Sequence, residues 1–129
     1  MNIGGKVTFT GVVHRDSVPA YVAAFDIALQ PAVTSYASPL KLMEYMVLGK
    51  AIIAPRTPNL LEILTDGENA ALFDGDSPES LPMTLTRLCQ DASFRQKLSM
   101  ASRESIDRLQ LTWTANARRV VSLAEKQLF

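Results

Sequence analysis

The chain is poor in the residues that most often mark a reactive centre, with one cysteine, one histidine and one tryptophan. A single Cys89 excludes an internal disulfide and a cysteine-based metal cluster. A single His14 makes a metal centre an unpromising expectation, because such sites take three or four ligands. Charge of either sign is not in excess: 13 basic and 13 acidic residues cancel, so nothing favours nucleic acid or an anionic membrane as partner. No apolar run approaches the roughly 20 residues needed to span a bilayer. The first residues lack a basic stretch followed by an apolar one, so a signal peptide is not expected and the cytoplasm is the default compartment. Repeats and low-complexity tracts are missing too. What remains is 129 residues that are 47% apolar, enough for one soluble domain with one core.

The stretch that organises it is residues 26–55, DIALQPAVTSYASPLKLMEYMVLGKAIIAP. DIALQP and AIIAP are short apolar runs, each stopped by a proline, as expected of strands buried on both faces. Between them Leu40, Met43, Met46 and Val47 recur at three- and four-residue spacing and predict an amphipathic helix with those residues inward. Ser38 suits the N-cap, Pro39 the first helical position and Gly49 a left-handed C-terminal stop. Such a unit is a β-α-β crossover with parallel strands. Its first loop lies at the carboxyl end of the sheet, where open α/β sheets take ligands. Backbone N–H groups over residues 38–41, the helix dipole and Lys41 would all favour an anion there. Glu44 could reach a hydroxyl-bearing part of the same ligand. The plainer alternative also fits these residues: a capped helix that binds nothing, with Lys41 and Glu44 paired on a solvated face.

Around this unit, VTFTG (residues 7–11) predicts a strand and residues 18–25 a helix capped by Asp16 or Ser17. PNLLEIL (58–64) predicts a short helix, residues 66–69 a simple turn and AALF (70–73) a further strand. Three helical stretches close the chain, over 78–90, 93–109 and 112–128. Cys89 follows Leu85 and Leu88 on a helix expected to bury it as a structural thiol. Arg118 and Arg119 beside Val120 and Val121 mark an ordinary amphipathic edge. The expectation is an α/β fold with about four parallel strands, flanking helices and a helical tail.

SPLKLMEYMVLGKAIIAP resembles the donor-site segment of retaining glycosyltransferases of the GT-B fold, group 1, glycosyltransferase family 4. VTFTGVVHRDSVPAYVAAFDIALQP before it and PNLLEILTDGENAALF after it continue the resemblance, in order, over residues 6–113. The resemblance implies the latter part of a Rossmann-like GT-B C-terminal domain, so residues 1–129 would form a single, incomplete nucleotide-sugar-binding domain. It implies that further strands, the basic residues clamping the donor diphosphate and an amino-terminal acceptor domain would all belong upstream. The implied activity is sugar transfer from a nucleoside-diphosphate donor to a glycan or lipid-linked glycan, in polysaccharide assembly. No cofactor or metal is implied. The full enzyme could be peripheral at the inner membrane, and the isolated chain is expected to be inactive.

In that pattern Glu44 matches the second of two glutamates separated by seven residues, implying a hold on the donor's ribose hydroxyls. Tyr36 stands where the first would be. A phenol, with an unperturbed pKa of about 10, carries no charge near neutrality, which puts the donor-sugar contacts in doubt. Ser38, Pro39, Leu40 and Lys41 would line the diphosphate, mainly through backbone N–H groups, Pro39 excepted. His14 and Glu62 are possible pocket-edge residues, with cap or loop duty the competing role for His14 and ordinary solvation for Glu62. Trp113, placed where the family often has a tryptophan, is expected to pack. Two further readings compete with the enzyme. One is a non-catalytic nucleotide-sugar-binding or assembly module that needs a separate amino-terminal partner. The other is an unrelated flavodoxin-like domain, opposed by the lack of a phosphoacceptor cluster. An unpaired strand edge rich in Val, Thr and Phe also predicts self-association.

Overall fold

A computed structural model describes residues 4–31 and 40–128. After 3-10 turns at Gly4–Lys6 and Arg15–Ser17 come α1 (Val18–Ala23), β1 (Ile27–Leu29), α2 (Leu40–Val47) and β2 (Ala51–Pro55). Then follow α3 (Pro58–Leu61), β3 (Ala71–Phe73), α4 (Ser80–Gln90), α5 (Ala92–Arg108) and α6 (Trp113–Leu128). The sheet has the order β1-β2-β3, and both pairings are parallel.

Its register separates two cores. Ala28, Ile52, Ala54 and Leu72 face one side, where Leu42, Tyr45 and Met46 of α2 cover them with Leu60, Leu64 and Ile106. Ala51, Ile53, Ala71 and Phe73 face the other, under Leu88 of α4 and Leu98 of α5. β2 lies between two neighbours and is buried along its whole length, as its unbroken apolar run requires. The edge strand β1 is buried only at Ala28 and leaves Leu29 part-exposed.

The expected strand at residues 7–11 is not formed. That stretch is irregular and exposed, with Phe9 92% accessible, and it joins no ladder among the described residues. Strand composition is only a preference for a pleated, half-buried surface, and it is realised when a neighbouring strand supplies the hydrogen bonds. Among the described residues the sheet therefore has three strands, where about four were expected. The helix expected over 18–25 is also shorter, and Ser17 makes no side-chain cap.

The C-terminal stop of α2 follows its sequence closely. Gly49 adopts φ +58°, its N–H donates to Met46 O at 3.0 Å, and Lys50 N–H donates to Tyr45 O at 3.0 Å. This is the two-bond arrangement of a left-handed helix stop. α5 then crosses the amino end of the sheet: Ser99 Oγ donates to Gly49 O and Ser102 Oγ to Lys50 O. Space does not demand glycine here, since a Cβ would meet Ser99 O and Arg103 Cβ at 3.6 Å, an ordinary contact; the φ of +58° does.

The turn at residues 66–69 does more than reverse the chain. Asn69 is fully buried; its Oδ1 accepts from Thr65 N–H at 2.7 Å. Its Nδ2 donates to Ile63 O and to Ser105 Oγ, each at 3.0 Å. Asp66 accepts from Leu72 N–H at 2.9 Å and from Arg56 at 2.7 Å. This polar hub ties the start of β3 to α3 and α5.

Two other expectations are overturned. Cys89 is exposed, because α4 turns Leu88 inward and Cys89 lies about 100° further round the helix. Trp113 is 90% exposed and α6 buries none of its described side chains, so the expected packing of the tryptophan does not occur within this chain.

Candidate functional site

In a β-α-β unit the helix runs back against its strands, so the N-terminus of α2 lies at the carboxyl end of β1 and β2. The N–H groups of its first turn have no intrahelical partner and, with the dipole, make that end positive. Tyr36, Ser38 and Pro39 lie outside the described residues. Leu40 and Lys41 open the helix, with the Leu40 side chain exposed.

α2 carries two overlapping apolar stripes, and of the expected one only Met46 is buried against the sheet. Leu42, Tyr45 and Met46 are buried, while Leu40 and Val47 are exposed and Met43 is part-buried. Gly49, seven residues beyond Leu42, extends the buried stripe towards α5, which decides between two otherwise similar faces. Burial pushes the Tyr45 phenol up from its ordinary value, Lys41 lowers it and Glu44 raises it.

The freed face of α2 lines a concavity of about 650 Å³. Lys41, Met43, Glu44, Val47 and Leu48 form one wall, and Val13, Arg15, Val18 and Pro19 form the other. Lys41 Nζ donates to Glu44 Oε2 at 3.0 Å, both side chains being about half exposed. The pair foreseen as the plain alternative therefore exists, yet it stands on the wall of a concavity instead of an open face. A carboxylate has room for several donors, so Glu44 can keep Lys41 and still accept hydroxyls. A wider groove of about 800 Å³ between α4 and the start of α5 lies against other elements, lined by Met83, Arg87 and Gln90 among others. The concavity along α2 is the better site, because two cations, Arg15 and Lys41, and the Glu44 carboxylate line it beside the first turn of the helix.

Arg15 is the residue that sequence reasoning passed over. It sits beside His14, and its charge at a sheet end was the available signal. His14 itself caps the 3-10 turn, its Nδ1 accepting from Asp16 N–H at 3.4 Å. It flanks the concavity without lining it. Glu62 is exposed at the end of α3 and does not line it either.

Residues 1–91 match the family described as glycosyl transferases group 1. The chain belongs to the group 1 glycosyltransferases. It is 31% identical over 121 residues to the D-inositol 3-phosphate glycosyltransferase of Corynebacterium diphtheriae, an alignment covering 88% of this chain and 28% of that one. The fold is that of a GT-B C-terminal domain. Sucrose-phosphate synthase of Thermosynechococcus elongatus superposes with a TM-score of 0.81 at 23% identity, over 98% of this chain and 31% of that one. Anabaena HepE, solved in complex with UDP-glucose, superposes with a TM-score of 0.69 at 20% identity, over 86% and 30%. This group 1 glycosyltransferase domain thus spans less than a third of the length of these relatives. Among its described residues no helix is long and apolar enough to cross a membrane.

Proposed function

We infer that this chain is the donor-binding part of a retaining glycosyltransferase that uses a nucleoside-diphosphate sugar. One observation carries the reading: in a group 1 chain, Arg15, Lys41 and Glu44 line one concavity along α2, next to that helix's first turn. The first-turn N–H groups and the two cations suit a diphosphate. Charge grows on that diphosphate as the sugar departs, and fixed dipoles already aimed at it stabilise the change without reorganising. Glu44, acceptor-only when ionised, suits the ribose hydroxyls. HepE's complex with UDP-glucose supports this class of donor. The acceptor, a hydroxyl of a glycan or lipid-linked glycan, would be held by the part of such an enzyme that this chain does not include.

Calorimetric titration of the chain with UDP, GDP and ADP tests the reading. Saturable binding of at least one, without sugar transfer by the chain alone, is the expected result; wild-type protein that binds none of them refutes it. Apolar exposure adds a second expectation. β1 has a free outer edge among the described residues, and Phe9, Val12, Leu40 and Trp113 are all exposed. The chain should therefore self-associate as its concentration rises in sedimentation velocity. A single monomeric boundary at high concentration would contradict this.

A further inference from the structure

Gln30 follows β1 and continues its ladder, its N–H donating to Ile53 O at 2.9 Å. Alternation places its side chain on the same face as Ala28, the face that α2 covers. The residue is 3% exposed. Nε2 donates to Pro31 O at 3.2 Å, and because that carbonyl can only accept, the nitrogen must be the atom turned towards it. The other amide atom, Oε1, is buried and has no hydrogen-bond partner. Buried acceptors are rarely left unmet, and an exception calls for a partner such as a water, an ion or a ligand.

This acceptor stands just past the carboxyl end of β1, on the face that α2 covers, and the first-turn N–H groups of α2 have no partner within the helix. The two features ask for complementary things. The helix terminus takes an anion, while Oε1 needs an O–H or N–H. A phosphate ester of a polyhydroxylated sugar has both within one molecule. A nucleoside diphosphate alone offers fewer donors, because its phosphates are ionised and its ribose is the group assigned to Glu44, which leaves only the N–H groups of its base. Those are common to the bare nucleotide and its sugar conjugate, so comparing the two isolates the sugar. We propose that Gln30 Oε1 accepts a hydrogen bond from a hydroxyl of the transferred sugar, so that this residue distinguishes a sugar nucleotide from the bare nucleotide. The proposal rests on the donor-site reading above and adds to it the sugar contact that Tyr36 leaves in doubt.

The test compares dissociation constants for UDP, GDP and ADP with those for UDP-glucose, GDP-mannose and ADP-glucose, in the wild-type chain and in Gln30→Met. Methionine keeps the length of the side chain and removes the oxygen. For whichever nucleotide binds, the variant should lose about tenfold of its preference for the sugar conjugate, the worth of one hydrogen bond. Affinity for the bare diphosphate should stay within about twofold. Gln30→Asn, which withdraws the oxygen by about 1.5 Å, should show the same split and serves if the methionine variant fails to fold by circular dichroism. An unchanged preference, or an equal loss for nucleotide and conjugate, would overturn the proposal while leaving the donor site standing. Wild-type protein that binds no nucleotide would instead remove the reading beneath it.

Discussion

Replacing Glu44 by alanine should weaken binding of a ribonucleoside diphosphate by about 10- to 100-fold, the loss expected when hydrogen bonds to a charged acceptor are removed. The direction is the informative part. Glu44 shares the concavity with Lys41 and Arg15 and holds the Lys41 ammonium at 3.0 Å. If the carboxylate were merely a surface charge, removing it would release Lys41 and make the site more positive. Affinity for a diphosphate would then rise, most clearly at low salt. A hold on ribose predicts the opposite sign, so the two accounts cannot both fit one titration. A 2′,3′-dideoxyribonucleoside diphosphate sharpens the comparison. Wild type should lose its advantage there, and Glu44→Ala should bind it at least as tightly, because the hydroxyls are gone and only the released Lys41 charge distinguishes the two. Tighter binding of the ordinary nucleotide by the variant would remove Glu44 from the site.

What could be read before the fold was known depended on how local each signal is. β1, α2 and β2 were legible because prolines, a helix-stopping glycine and apolar periodicity all act within a few residues. The parallel pairing followed from the connection alone. Residues 7–11 carry equally good strand composition, yet a strand exists only beside another one, and that information is not local. The choice between the two stripes of α2 turned on α5, some fifty residues further along, packing against Gly49. Trp113 was expected to pack from the family resemblance and Cys89 to be buried from its place after Leu85 and Leu88, whereas the packing of α4 and α6 decides their exposure. At the candidate site Lys41 and Glu44 were legible from helix spacing, while Arg15 required the fold to bring the α1 entry against α2. Gln30 did leave a trace, as a polar residue two positions after Ala28 in the run DIALQP.

Asn69→Ala should be the most damaging of the polar substitutions, costing about 3 kcal/mol of stability and roughly 10 °C in the midpoint of thermal unfolding. The side chain satisfies Thr65 N–H, Ile63 O and Ser105 Oγ at once; its replacement strands Thr65 N–H and Ile63 O where water has little access, while Ser105 Oγ keeps Ala101 O and Arg108. A cavity the size of the lost amide adds to the penalty. Ser105→Ala should cost less, since it removes only one of the three bonds and leaves the amide two partners. The double variant should then be less damaged than the sum of the single ones, the mark of two residues in one network. Placement separates this effect from function. The hub holds the start of β3 to α3 and α5, and α5 crosses the amino end of the sheet, opposite the concavity at Glu44. Asn69→Ala protein that remains folded at low temperature should therefore bind nucleotide like wild type. A stability loss below about 1 kcal/mol by chemical denaturation would show that the buried amide is a replaceable spacer.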